Sequence, residues 1–150
     1  MTRRRWREKN EIILRVIYFS ALIIFSIIVI DQATKALAIK FLPTACNAGF
    51  AFGIFPVSNL LGAFLVVLVL GIAGYFVLTG MIPVKRLSLL GSSLIFGGGL
   101  SNLIDRVARG CVVDFVDVVS FWPSFNLADA AINAGVFLLV FSMVKESVKK

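Results

Sequence analysis

The sequence contains no histidine and only two cysteines, Cys46 and Cys111. The first absence excludes a Ser-His-Asp or Cys-His centre, a His-ligated zinc site and a histidine-held haem. Two cysteines so far apart make neither a disulfide framework nor a thiolate metal cluster; they read first as two separate buried thiols, with a single disulfide on the outer, oxidising side as the alternative. Charge is scarce as well: 15% of the 150 residues are charged, 59% are hydrophobic, and the mean hydropathy is +0.98. Too few polar side chains remain to cover a water-facing surface, which points to a polytopic membrane protein. Its chemistry therefore has to come from carboxylates, amides, hydroxyls, lysine or arginine.

The long apolar runs supply four spans. Residues 12–30 form a stretch broken only by Arg15, Ser20 and Ser26, long enough to cross about 30 Å of hydrocarbon at about 1.5 Å per residue. A basic stretch precedes it, but the run is too long for a signal peptide and no small-x-small cleavage site follows, so it is expected to be retained. No formal charge occurs in the 44 residues between Lys40 and Lys85, and residues 60–79 read as the second span. Residues 87–104, rich in glycine, read as the third, and residues 127–144 as the fourth. No repeat or second domain is visible, so residues 1–150 are expected to form a single membrane domain with two connecting segments on one side.

Charge placement orients the bundle. The N-terminal tail, the Pro83–Ser88 turn and the C-terminal tail hold 11 of the 15 Lys and Arg, counting Arg15 at the first span's start, together with all three Glu. Those segments are expected in the cytoplasm. All five Asp, namely Asp31, Asp105, Asp114, Asp117 and Asp129, fall at the opposite face, giving +8 inside and −1 outside. The basic inner face suits topology and anionic lipid, not nucleic acid.

Ionisable groups in or near the bilayer are costly, so their placement is informative. From Asp129 to Lys145 is 16 residues, about 24 Å of helix. That spacing puts the Asp129 carboxylate about a turn below the outer edge, with Asn126 one turn before it. The plain alternative is that Asn126 and Asp129 only cap the fourth helix. Asn102, Asp105, Arg106 and Arg109 share one face of the third helix, where an Asp105–Arg106 pairing that fastens the outer segment is expected. Gly110 then breaks the helix, and Cys111–Val119 alternates weakly with β-branched residues, carrying Asp114 and Asp117 on a short strand. In the first outer segment, Asp31 and Lys35 are spaced i, i+4 and suit a surface salt bridge. Asn47 and Gly49 suit a tight turn, with Phe50, Phe52 and Trp122 as interfacial anchors. Two aspartates close together in a poorly solvated site cannot both ionise easily. One keeps a proton while the other serves as base, which needs neither histidine nor metal. Spacing alone does not select which pair meets.

These residues resemble the lipoprotein (type II) signal peptidases of bacterial inner membranes. The resemblance is carried by Asp31-Gln-x-Thr-Lys35, Asn47-x-Gly-x-Ala-Phe52, Gly98-x-x-x-Asn102-x-x-Asp105-Arg106, Gly110-x-Val-Val-Asp114-Phe115 and Asn126-x-Ala-Asp129, in family order along nearly the whole chain. It implies an all-α membrane protein with four transmembrane helices, a small extracytoplasmic β-cradle, both termini cytoplasmic and the active site at the periplasmic face. It further implies an aspartic endopeptidase that cuts prolipoproteins just before their diacylglyceryl-modified lipobox cysteine, with globomycin as a substrate-mimicking inhibitor. By matching motif, Asp114 and Asp129 look like the catalytic dyad. Asn47, Gly49, Asn102, Arg106 and Asn126 look like substrate-binding or supporting residues, and Asp31, Lys35 and Asp105 look structural. No metal or other cofactor is expected, and a monomer in membrane lipid suffices because one chain supplies both aspartates. The chain departs from the family pattern at Ser101, where glycine is usual, at Phe50, where a smaller residue is usual, and at Cys46. A transporter would place charges deeper than this sequence does. A non-catalytic scaffold that binds lipid or a partner through its outer segments is the remaining alternative.

Overall fold

Long uncharged runs can satisfy their backbone in lipid only by internal hydrogen bonding, and here they do so as helices. The structure, a computed structural model, describes residues 3–48, 58–79, 85–117 and 123–148. Gly49, Phe50, Phe52, Pro83 and Trp122 lie outside the described residues. Among those described, four helices form: α1 Arg3–Phe41, α2 Asn59–Leu78, α3 Arg86–Arg109 and α4 Leu127–Ser147. Within them Leu14–Phe41, Asn59–Phe76, Arg86–Arg109 and Leu127–Lys145 are long and apolar enough to cross a membrane.

Two of these helices outrun the apolar stretches that announced them. Helix α1 continues past Ile30 because Asp31 and Lys35 pair on its buried face at 2.7 Å, and both are fully buried. The surface salt bridge expected for this pair is thus corrected: it is an interior ion pair. Helix α3 continues past Ile104 to Arg109 and stops where Gly110 adopts a left-handed conformation, φ 80°, that terminates helices.

Helix α3 is the centre of the bundle and packs against each of the other three. Its buried residues are small or polar, from Ser88, Gly91 and Ser93 through Gly97–Gly99 to Ser101, Asn102, Asp105 and Arg106. Large apolar side chains instead face outward, as with Phe25 and Phe137. This inversion is what lipid demands, since burying Leu or Phe against another helix gains little over contact with acyl chains. Small residues let backbones approach. A Cβ on Gly91 would lie 2.8 Å from the Gly135 carbonyl, one on Gly135 2.6 Å from the Gly91 carbonyl, and one on Gly98 would collide with the Ala128 carbonyl. Ser88 and Ser142 join α3 to α4 through their hydroxyls at 2.9 Å.

Two short strands, β1 Ala45–Asn47 and β2 Val112–Asp114, pair antiparallel, with Ala45 opposite Asp114, Cys46 opposite Val113 and Asn47 opposite Val112. Among the described residues beyond β2, pairing continues as an isolated bridge, Val116 with Phe125, while Val118 and Val119 lie outside the described residues. The register brings Cys46 and Cys111 to a Cα separation of 5.5 Å, and they form a disulfide. The reading of two separate thiols is therefore corrected: a separation of 65 residues along the chain says nothing about distance once two strands pair.

Two outcomes follow from this packing. Gly98→Ala lowers the thermal midpoint by the equivalent of about 1–3 kcal/mol, because two helix backbones must part. Gly71→Ala, where a Cβ meets nothing within 4 Å, leaves the midpoint unchanged or slightly raised in the same detergent melt. Reducing the disulfide, or replacing both cysteines by serine, also lowers the midpoint. Chain entropy alone allows about 4 kcal/mol for a loop of this length, and spans already fixed in the membrane reduce that value.

Candidate active site

At one end of the bundle β2, α3 and α4 converge, and the loop into α4 determines what meets there. Asn126 sits just before α4, and its Oδ1 accepts the Asp129 backbone N–H at 2.9 Å, the bond of a helix N-cap. That backbone group can only donate, so the other end of the amide must point away. It donates from Nδ2 to Asp114 Oδ1 at 2.6 Å. Asn126 therefore does cap α4, but not only that: the same side chain ties Asp114 of β2 to the turn that carries Asp129.

Each of the two carboxylates receives asparagine N–H donors. Asp114, buried at the end of β2, also accepts Asn47 Nδ2 at 2.9 Å on its second oxygen. The β1–β2 pairing places Asn47 within reach, and the disulfide at the neighbouring Cys46 holds β1 there. Asp129, half-buried in the first turn of α4, accepts Asn102 Nδ2 from α3 at 2.8 Å. Burial pushes the Asp114 carboxyl up to about 6, against the two amide donors, and the Asp129 charge adds to the rise. The guanidinium of Arg106 lies within electrostatic reach of Asp129, Asp114 and Asp105. Gly62 of α2 makes room for it, since a Cβ there would sit 2.9 Å from Arg106 Nε. An open groove of about 390 Å³ borders Asp114, flanked by Thr44, Ala45, Phe115 and Asp117.

Behind this pair lies a buried ionic cluster. Lys35 Nζ is 2.7 Å from Asp31 Oδ2, 2.8 Å from Asp105 Oδ2 and 3.0 Å from Asn102 Oδ1. Asp31 also accepts the Ser101 hydroxyl at 2.7 Å and the Ala128 backbone N–H at 2.9 Å, so it pins the start of α4. Asp105 accepts the Val113 backbone N–H at 3.2 Å and pins β2 one residue before Asp114.

The expected Asp105–Arg106 pairing is corrected. Among the described residues Asp105 makes its ion pairs with Lys35 and Arg109, because Arg106, one position on, points across the helix toward α2 and the carboxylates. The structure thus gathers Asn47, Asn102, Asp105, Arg106, Asp114, Asn126, Asp129, Asp31 and Lys35 at one end, while Gly49 lies outside the described residues. Asp117 is exposed beside the groove.

Four participants were not marked as site residues from sequence. Gln32 donates to Ser101 and Asp105 and accepts from Arg109 at 2.9 Å. Arg109 closes the cluster, Ser101 supplies its hydroxyl to Asp31, and Asn59 Nδ2 donates to the Arg106 carbonyl at 2.9 Å. Gln32 lay inside a noted motif and Arg109 on a noted helix face; Asn59 carried no signal. Among the described residues no group of three His, Cys, Asp or Glu is arranged to hold a metal ion. What the arrangement offers is acid–base chemistry from Asp114 beside an open groove, with the Asp129 carboxylate within electrostatic reach of it.

The chain is similar to known proteins along most of its length. The family model for signal peptidase (SPase) II matches residues 23–145. A lipoprotein signal peptidase of Pelotomaculum thermopropionicum is 37% identical over 148 residues, covering 87% of this chain and 95% of that protein. One from Geobacter sulfurreducens is 36% identical, covering 88% and 94%. A solved structure described as a bacterial membrane enzyme, at 2.3 Å resolution, superposes with a TM-score of 0.77 at 28% identity, covering 89% of this chain and 92% of that one.

The raised Asp114 carboxyl fixes a sign for stability. Between the ordinary carboxylate range near pH 4 and about pH 6 the folded protein keeps a proton that the unfolded chain releases, so this group's contribution falls as pH rises through that window. Asp114→Asn abolishes that dependence. The variant therefore gains on the parent between pH 4 and pH 7, by on the order of 1–2 kcal/mol after solvent screening, in paired thermal melts.

Proposed function

The chain belongs to the signal peptidase II family, and from that premise we propose that it is an aspartic endopeptidase whose catalytic pair is Asp114 and Asp129. It removes the signal peptide from prolipoproteins and is a multi-pass protein of the bacterial membrane. One observation carries the reading of the pair. Asp114 and Asp129 come from different elements, yet a single amide, Asn126, grips the carboxylate of one and the backbone N–H of the other.

In the proposed reaction the substrate's apolar signal helix lies beside the bundle and its diacylglyceryl chains stay in lipid, so the bond before the modified cysteine reaches the groove at Asp114. The ionised carboxylate takes a proton from water, and the resulting hydroxide adds to the scissile carbonyl carbon. The protonated carboxyl donates to the carbonyl oxygen. Collapse of the tetrahedral intermediate breaks the C–N bond: one hydroxyl returns its proton to the second carboxylate, and the cysteine amine leaves with the proton taken from water. One negative charge is shared by the pair, and the nearby Arg106 guanidinium favours that state. Asn47, Asn102 and Asn126 hold the carboxylates by donation, Gly49 is assigned to substrate binding by its motif alone, and Asp31, Lys35 and Asp105 hold the elements together.

The same reading orients the protein and bounds its partners. The disulfide beside Asn47 suits an oxidising compartment and, with the basic residues, supports the reading that this end faces the periplasm and both termini the cytoplasm. One chain supplies both aspartates, so residues 1–150 act as one domain and a monomer suffices. Globomycin, a mimic of the substrate, is the expected inhibitor. A non-catalytic scaffold gains nothing from burying Asp114, which costs it stability above pH 6.

The test is cleavage of a diacylglyceryl-modified lipobox peptide by the purified protein in detergent. The parent cuts the lipidated peptide and leaves the unlipidated one intact, while Asp114→Asn and Asp129→Asn, both folded, fall by about 10³-fold or more. Substantial cleavage by either variant sinks the assignment.

A further inference from the structure

Lys35 is fully buried, and its ammonium has three donors and three acceptors: Asp31 Oδ2, Asp105 Oδ2 and Asn102 Oδ1. An apolar side chain would fill the same space without the cost of desolvating a charge. The third acceptor shows what the charge adds. The two ends of an asparagine amide are nearly equal in shape, and only its neighbours decide which end faces where. An ammonium cannot accept a hydrogen bond, so Asn102 must present Oδ1 to Lys35. Its Nδ2 is then committed to the other side, where it donates to Asp129 Oδ1 at 2.8 Å.

We infer that Lys35 is a positioning residue for Asp129: by donating to Asn102 Oδ1 it holds the Asn102 amide in the one orientation that gives the Asp129 carboxylate a donor. Without it the amide turns freely, and its carbonyl oxygen spends part of the time against the carboxylate, where the two oxygens repel. Asn126 is held in the same way by a group that only donates, the Asp129 backbone N–H. Both amides that serve the pair from the helical side are thus fixed in orientation from behind, one by a peptide group and one by a buried cation. The cluster stays neutral because Arg109 pairs with the remaining Asp105 oxygen. The inference rests on the reading of Asp129 as one half of the catalytic pair.

The experiment is a double-mutant cycle on the lipidated lipobox peptide in detergent, with kcat and KM measured separately and folding followed by thermal melt. Lys35→Met is combined with Asp105→Asn so that the cluster's net charge is kept. The expected result is a folded protein whose kcat falls about tenfold or more with KM within about twofold. Asn102→Ala alone gives a similar loss, and the combined variant falls no further, because both changes remove one device. A parental kcat in the charge-balanced variant, or losses that multiply with Asn102→Ala, overturns the inference. Should the Lys35 variant not fold, Asn102→Asp decides the matter, since it keeps an acceptor for Lys35 and offers no donor to Asp129. Loss of kcat is expected there, and parental kcat overturns the inference. Activity in Asp129→Asn, by contrast, removes the premise about the pair and not the amide lock.

Discussion

A single lysine with two aspartates, all three closed off from solvent, sits where α1, α3, α4 and β2 are fastened at the end of the bundle that holds Asp114 and Asp129. Asp31 reaches the first turn of α4 through the Ala128 N–H, Asp105 reaches β2 through the Val113 N–H, and Lys35 reaches α3 through Asn102. If the cluster is withdrawn, the polar ties from α1 to α4 and to α3, and from α3 to β2, are lost together. Buried ion pairs are seldom net stabilisers against apolar replacements, because desolvation offsets the attraction. Here the return is geometric: carboxylates and an ammonium prescribe directions that methyl groups cannot.

That geometry is needed because lipid removes the usual source of cohesion. Helices surrounded by acyl chains gain little from burying leucine, and this bundle carries its large apolar residues outside. Cohesion comes from close backbone approach along α3 and from polar bonds such as Ser88 to Ser142. The glycines and the ionic cluster lie on the same helix. The first sets how near α3 stands to α4, and the second sets the rotation of what α3 presents, so Asn102 meets Asp129 at hydrogen-bond length.

The four spans were legible in the sequence because hydropathy over about 20 residues is a collective signal that no single residue can spoil. Helix ends were less legible. Asp31 and Asp105 look like boundaries to a hydropathy reading, yet both lie inside helices because their partners come from elsewhere in the fold. The motifs named residues that the structure brings together around the aspartate pair, but sequence could not choose the pairings. Asp105 bonds Lys35, 70 positions away, and not its neighbour Arg106. Cys46 and Cys111 failed for the same reason, since a bond between distant residues depends on strand register. Asn59 was invisible because its role depends only on which carbonyl lies opposite.

The end of α4 that carries Asp129 is also the last part of the site to be made. Asp31, Lys35, Asn47 and Asn102 all precede it along the chain, and Asp114 lacks its Asn126 donor until the loop into α4 has arrived. During synthesis the chain passes through every earlier stage with Asp114 short of a donor and Asn102 short of its acceptor, and both are supplied together when the final helix seats against α3. Timing, in this protein, is written into the order of its segments.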